Sequence, residues 1–259
     1  MNRFALLLGN NRGSIGVPID IEAYRSFLTS SIGGAWKPEE ILIQYDLTVE
    51  TLLEILDIIK ARCYDYFLFV FSGHGGIDRT LHETILELKS GEEIGESCLN
   101  SIATRQLSIL DCCRDYENGE EHLQASRTPQ LIKESSYDIS AIRKIYESAL
   151  YYAPAFHHRI YACQEGECAS GSYLKGGHFS QSFLKMARTL ASTSDDELVY
   201  LNDCFLRTAV SCATEEQHPD AILPRSLHQL PWAVNAKAFS LYEEICGGFL
   251  NPIWSTTNP

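Results

Sequence analysis

The chain has 259 residues, of which 45% are hydrophobic and 21% charged, and its formal net charge is −13. This length allows one sizeable α/β domain or at most two small ones, and the composition is ordinary for a globular protein. The excess of acidic residues argues against a nucleic-acid or anionic-membrane surface, because such surfaces need a basic stripe. We therefore expect neither a nucleic acid nor a membrane among the partners.

The N-terminus and the cysteines indicate the compartment. The first apolar run is too short for a secretory signal core, and a polar turn follows it at residues 9–13, so we interpret it as a buried strand. The nine cysteines are odd in number and irregularly spaced, which fits a reduced cytoplasmic protein better than a disulfide framework. Cys163 and Cys168 form a close pair without a second pair at a zinc-like interval, so we expect no metal and no cofactor.

Strands and helices are predicted to alternate in the first part of the chain. In order they are a strand at 3–9, a helix opening at 18–20, a strand at 41–45, a helix capped by Thr48, and a strand at 66–71. This order predicts an α/β fold with a doubly wound, mostly parallel sheet.

The remaining elements are predicted in the same way. In chain order they are a hairpin arm at 84–88, a loop or short helix up to residue 104, a strand at 106–111, an amphipathic helix at 139–152, a fifth strand at 159–163, a helix led by residues 176–179, a helix at about 197–213, a strand at 231–234, and a terminal helix and tail at 236–259. Residues 115–157 show no buried-strand pattern, and we expect an exposed connection or a lid there.

Two apolar runs end in residues that carry chemistry. The first ends in Ser-Gly-His-Gly-Gly at residues 72–76, and the second ends in Asp-Cys-Cys-Arg at residues 111–114. Parallel neighbouring strands that end at one sheet edge bring His74 and a cysteine side by side. An imidazole in that position takes the thiol proton and later protonates the leaving amine. The backbone N–H groups of Gly75 and Cys113 are the candidate oxyanion donors.

Together the two motifs resemble the paired signature of the caspase-like cysteine peptidases (peptidase family C14), most closely their metacaspase and bacterial branch. The likeness covers most of residues 3–235, including Ala-Cys-Gln-Glu at 162–165 and Gly-His-Phe-Ser at 177–180. It implies a caspase-like three-layer α/β/α sandwich with a mostly parallel sheet of about six strands. A single peptidase domain then spans 1–235, with 115–157 as an insertion after the catalytic strand and 236–259 as a C-terminal extension.

The resemblance also implies residue roles. The nucleophile of the family is the second residue after the Asp, which is Cys113, and His74 is its base; Cys112 is then a buried core cysteine. Two features depart from animal caspases. The His–Cys interval is shorter than the roughly 50 residues expected there, and Cys-Arg-Asp replaces the usual Cys-x-Gly.

Substrate recognition is left with alternatives. Asp111 matches the acidic S1 position that receives Arg or Lys in metacaspase-like members, and Asp20 matches another acidic position of that pocket. Either residue is alternatively a cap, Asp111 at a strand end and Asp20 at a helix N-terminus. Arg12 lies near the position where animal caspases place an arginine that binds substrate Asp. We favour cleavage after Arg or Lys over cleavage after Asp.

The sequence thus predicts a cytoplasmic cysteine endopeptidase that acts on proteins or peptides. By analogy with small bacterial relatives, it acts in regulated cell death or antiviral defence and has its activator on a separate protein. A catalytically silent scaffold or sensor is the rival from another class, and a separase-like or gingipain-like peptidase is the rival enzyme. The insertion also offers basic residues for self-processing, namely Arg127, Lys133, Arg143 and Lys144.

Overall fold

The computed structural model describes residues 1–11, 16–89, 91–116, 137–172, 174–214 and 217–237. Short 3-10 turns occupy Pro38–Glu40 and Glu96–Leu99. The α-helices and strands of these residues are, in chain order, β1 (Arg3–Gly9), α1 (Gly16–Thr29), β2 (Ile41–Tyr45), α2 (Val49–Ala61), β3 (Tyr66–Ser72), β4 (Gly75–Asp78), β5 (Glu83–Glu87), β6 (Glu93–Gly95), β7 (Arg105–Asp111), α3 (Ile139–Tyr152), β8 (His157–Tyr161), β9 (Gly171–Ser172), β10 (Gly176–Gly177), α4 (His178–Thr193), β11 (Leu198–Tyr200), α5 (Leu201–Cys212), β12 (Asp220–Ile222) and β13 (Pro231–Val234).

A six-stranded sheet forms the centre of the fold, in the order β12-β8-β7-β3-β1-β2. The neighbouring strands are parallel except β12, which runs antiparallel to β8. The mostly parallel α/β sheet predicted from the sequence is therefore confirmed. Its sixth strand is β12, which the sequence pattern did not reveal. The strand predicted at 231–234 exists as β13, but it pairs with β11 in a separate ribbon.

Strand β3 shows why the sheet is covered on both faces. All seven of its residues are buried, and they alternate between two apolar cores. Tyr66, Leu68 and Val70 pack in the core that also contains buried residues of α1, α3, α4 and α5. Phe67, Phe69 and Phe71 pack in the core that contains α2 and residues of β5. Because neighbouring residues of a strand point to opposite faces, one apolar run fills both layers of the sandwich.

The observed bounds of several helices and strands differ from the predicted ones. Helix α1 begins at Gly16 rather than at Pro18. The helix expected from 197 begins at Leu201, since Leu198–Tyr200 is the strand paired with β13. The hairpin arm at 84–88 is the middle strand of a small antiparallel sheet, β4-β5-β6.

Part of the segment expected to be an exposed connection or lid belongs to the core. Helix α3 occupies its predicted range, begins with Asp138 as its N-cap, and buries Ile142, Tyr146 and Leu150. That expectation was wrong for α3, because an apolar stripe of this spacing buries itself against the sheet layer. Residues 117–136 of the insertion and most of the predicted C-terminal extension, from residue 238, lie outside the described residues. No described helix has both the length and the apolarity needed to cross a membrane.

Candidate active site

The segments that carry His74 and Cys113 run side by side at the carboxyl edge of the sheet. Strands β3 and β7 are parallel neighbours in a register that pairs Ser72 with Asp111. Beyond the strands, the Gly73 N–H donates to the Asp111 carbonyl over 3.1 Å, and the Ile77 N–H donates to the Asp115 carbonyl over 3.1 Å. The backbone adjacency expected from the sequence is therefore confirmed.

His74 lies between the central sheet and the small sheet. It is separated from β3 by Gly73 and directly precedes β4, and it is half-buried. Its carbonyl accepts a hydrogen bond of 3.1 Å from the Glu87 N–H at the end of β5. The backbone at this position is thus fixed from both sides. Gly75, one predicted oxyanion donor, is the first residue of β4, and Cys113, the other, follows β7 by one residue.

The two adjacent cysteines have different environments. Cys112 is only 1% exposed, and burial raises its pKa. A Cβ on Gly75 would come within 2.8 Å of the Cys112 sulfur, so the chain after His74 packs closely on this residue. Cys112 is therefore the buried core cysteine that the resemblance implies.

Cys113 is half-buried, and its thiol donates to the Ala169 carbonyl over 3.8 Å. Burial, followed by the neighbouring Cys168 thiol, raises the pKa of Cys113 to about 12. The thiol is consequently protonated at neutral pH in the resting chain. It becomes a nucleophile only when a base takes its proton.

Asp20 and Asp111 are both buried and both bind the start of α4. Asp20 is 1% exposed and accepts hydrogen bonds from the Gly177 N–H (2.7 Å) and the Gln181 side chain (2.7 Å). Asp111 is 6% exposed and accepts from the N–H (3.1 Å) and the hydroxyl (2.5 Å) of Ser180. The hydrogen bonds from the start of α4 favour the charged forms of the two carboxyl groups and so oppose the effect of burial.

The structure corrects the capping alternative for Asp20. Asp20 lies inside α1, which begins at Gly16, and so it is not the N-cap of its own helix. It is held instead by α4 and by the Ser72 hydroxyl, which donates to it over 3.0 Å. This arrangement joins the first helix, the end of β3 and the fourth helix around one carboxylate.

Repulsion between the two carboxyl groups also disfavours their ionised forms. Burial and the negative charge of Asp111 raise the pKa of Asp20 to about 8, and burial raises the pKa of Asp111. Two buried carboxylates that repel one another retain a proton at neutral pH. Within the described residues, neither acid forms an ion pair with a lysine or arginine.

Glycines allow the backbone to approach these acids. Gly176 has a φ of +86°, and a Cβ there would collide with the Asp20 carboxylate. A Cβ on Gly177 would collide with the Asp111 carboxylate in the same way. The Gly-His-Phe-Ser motif indicated the start of this helix, but its relation to the two acids, and the parts played by Ser72 and Gln181, were not anticipated.

Three further points concern Arg12, the arrangement of possible metal ligands, and the cysteines. Arg12, the alternative specificity residue, lies outside the described residues. The described residues contain no group of three or more His, Cys, Asp or Glu side chains arranged to hold a metal ion. The eight cysteines among them are all free thiols.

Comparison with protein families gives a match over most of the chain. The peptidase family C14 profile, described as the caspase domain, matches residues 2–240. No curated protein gives a significant match to the chain.

Proposed function

The chain belongs to the caspase-domain family of peptidases, and from this premise we propose that it is a cysteine endopeptidase with Cys113 as nucleophile and His74 as base. The observation that carries the proposal is the β3–β7 register, which aligns the two segments at the carboxyl edge of the sheet. Sites of open α/β folds lie at this edge. The half-buried state of Cys113, against the full burial of Cys112, supports the choice between the two thiols.

In the proposed reaction, His74 takes the proton of the Cys113 thiol, and the sulfur attacks the scissile carbonyl carbon. The N–H groups of Gly75 and Cys113 stabilise the oxyanion, an effect worth about 10²–10³ in rate. His74 then protonates the leaving amine, and water hydrolyses the acyl-enzyme. The high pKa of Cys113 supports this division of labour, because without a base the thiol stays protonated.

The proposal includes cleavage after Arg or Lys. Its support is the buried pair Asp20 and Asp111, which lies at the strand edge and forms no ion pair with a lysine or arginine among the described residues. A guanidinium or ammonium group would relieve the repulsion between the two carboxylates. Arginine suits such a site best, because its planar group binds carboxylates bidentately.

Kinetics of three variants test the proposal. Cys113→Ala and His74→Ala should each lower kcat/KM for an Arg-terminated peptide reporter by about 10⁶-fold, the size expected on losing a nucleophile or its base. Cys112→Ala is the matched control, since it removes the neighbouring thiol, and it should retain activity. Comparable activity in Cys113→Ala would contradict the assignment. Peptide reporters that end in Asp test the specificity: their cleavage in preference to Arg-terminated reporters would favour Arg12 over the acidic pair as the specificity determinant.

A further inference from the structure

A second thiol lies beside the proposed nucleophile. Cys168 is on the loop between β8 and β9, one residue before the Ala169 carbonyl to which the Cys113 thiol donates. The Ala169 contact, together with the Arg114–Glu167 backbone hydrogen bond, places Cys168 alongside Cys113, and Cys168 contributes to the raised pKa of the Cys113 thiol. On its other side, the Cys168 thiol donates to the Asp115 carboxylate over 3.8 Å. Both cysteines are half-buried, so a small oxidant has access to them.

The backbone around both thiols is held in place. The Arg114 N–H donates to the Glu167 carbonyl over 2.9 Å, and the Gly166 N–H donates to the Arg114 carbonyl over 2.8 Å. The Glu167 carboxylate in turn accepts from the N–H and the Nδ1 atom of His218, each over 2.7 Å. The loop is therefore joined to the residue after Cys113 and to the segment before β12.

The neighbouring cysteines are less suited to react with Cys113. Cys163 is buried, and its thiol donates to the carbonyls of Cys112 (3.5 Å) and Glu167 (3.3 Å). Cys112 is buried against Gly75. Of the three cysteines near Cys113, which are Cys112, Cys163 and Cys168, Cys168 alone is partly exposed.

We propose that Cys113 and Cys168 form a reversible disulfide when the protein meets a hydroperoxide, with Cys168 as the resolving thiol that protects the nucleophile. The inference rests on the proposed function for its consequence, a reversible loss of peptidase activity. Redox-sensitive cysteines often lie next to a resolving cysteine, and because the pKa of Cys113 is raised, this thiol needs His74 as the base that forms its thiolate.

The chemistry balances with one hydroperoxide. The Cys113 thiol gives its proton to His74, and its sulfur attacks the hydroperoxide, breaking the O–O bond. The alkoxide or hydroxide that leaves takes the proton from His74, and Cys113 becomes a sulfenic acid. The Cys168 sulfur then attacks the Cys113 sulfur, the S–O bond breaks, and the departing hydroxide takes the Cys168 proton to form water. Two thiols are oxidised and the hydroperoxide is reduced to an alcohol or water.

Mass spectrometry of the full chain tests the disulfide without a peptidase assay. After treatment with hydrogen peroxide, wild-type protein should lose the mass of two hydrogen atoms and yield a cross-linked peptide that joins Cys113 to Cys168. A dithiol should reverse this change. Absence of any cross-link, or a cross-link from Cys113 to Cys112 or Cys163 instead, would overturn the inference.

Two variants sharpen the test. In Cys168→Ser, peroxide should carry Cys113 on to sulfinic and sulfonic acids, and a dithiol should no longer restore the thiol. Cys98→Ser is the matched control, because Cys98 is also a half-buried thiol with a pKa of about 12, and it should behave like wild type. If Cys113→Ala retains peptidase activity, the proposed function fails, and the cross-link in wild-type protein still tests the disulfide separately. If activity needs Cys113 but no cross-link forms in wild-type protein, only the disulfide inference fails.

Discussion

At the scale of single residues, burial distinguishes the two neighbouring cysteines, whereas it affects the two acids alike. Cys112 and Cys113 are neighbours in sequence, yet the first is sealed against Gly75 and the second is half-buried. Asp20 and Asp111 come from distant parts of the chain, yet they share one buried site, and the charge of Asp111 raises the pKa of Asp20. The pattern of residue types revealed both pairs, but the difference in burial depends on the packing of the whole fold.

The acidic pair makes a pH-dependent prediction about ligand binding. Its deprotonated form binds a cation more tightly, and the pKa of Asp20 is raised to about 8 by burial and by Asp111. The affinity of Cys113→Ala protein for agmatine, a guanidinium ligand, should therefore rise as the pH increases toward about 8 and level off above it. Calorimetry in buffers of different ionisation enthalpy should show proton release on binding near neutral pH.

The control for this experiment is Asp111→Asn. Removing one charge lowers affinity for the cation and also removes the repulsion that raises the pKa of Asp20. The variant should bind agmatine more weakly and release less proton near neutral pH. Equal affinity and equal proton release in the two proteins would exclude the pair as the cation site.

At the scale of elements, the start of α4 holds the acidic pair in position. Gly176–Gly177 brings the backbone onto both carboxylates, and the first turn of α4 donates hydrogen bonds to them. Sequence pattern predicted β1, β2 and α3 with the observed bounds, because the two strands are apolar runs and α3 has an apolar stripe at helical spacing. It missed β12, since three residues give no period from which a strand can be inferred.

A glycine substitution tests the role of this turn. Gly177→Ala places a Cβ against the Asp111 carboxylate, so we expect a loss of about 1–3 kcal/mol in the free energy of unfolding and weaker agmatine binding. Gly171→Ala is the matched control, because a Cβ there meets its first neighbour at 3.6 Å, an ordinary contact. Denaturant unfolding and calorimetry measure the two effects. Equal behaviour of the two variants would show that the close approach at Gly177 has no role.

The self-processing hypothesis is restricted by helix α3. Arg143 and Lys144 lie within that helix, and Arg143 forms ion pairs with Glu40 and Glu147. Because a protease binds its substrate extended, these two basic residues are poor cleavage sites. If the chain processes itself, intact masses should place the cut after Arg127 or Lys133, and Cys113→Ala protein should remain whole. A cut after Arg143 would contradict this expectation, and identical masses of the two proteins would remove the self-processing hypothesis.

At the scale of the whole molecule, the site unites distant parts of the chain at one sheet edge. Asp20 comes from α1, the adjacent His74 and Cys113 segments follow β3 and β7, and α4 closes the acidic pair. The carboxyl ends of the parallel strands could be predicted to converge, and they do. The position of α4 over Asp20 and Asp111 could not, since it depends on tertiary packing that no local pattern records.

This convergence has a cost in stability that depends on pH. The folded pKa values of Asp20 and Asp111 lie above their unfolded values, so their contribution to stability is present at acidic pH and is lost as the pH rises from about 4 to about 8. The melting temperature of Asp111→Asn minus that of wild type should therefore increase across this range. Each kcal/mol corresponds to roughly 2–4 °C in a chain of this size. A difference that is flat or falls with pH would contradict the shared burial of the two charges.

The most direct test of the account is covalent labelling with a peptidyl acyloxymethyl ketone that ends in arginine, followed by peptide mass mapping. We expect one label per chain, on Cys113, and its loss in His74→Ala and in Asp111→Asn. A label on Cys112 or on another cysteine, or unchanged labelling of Cys113 in His74→Ala, would contradict it. An unlabelled wild-type chain would favour the catalytically silent scaffold.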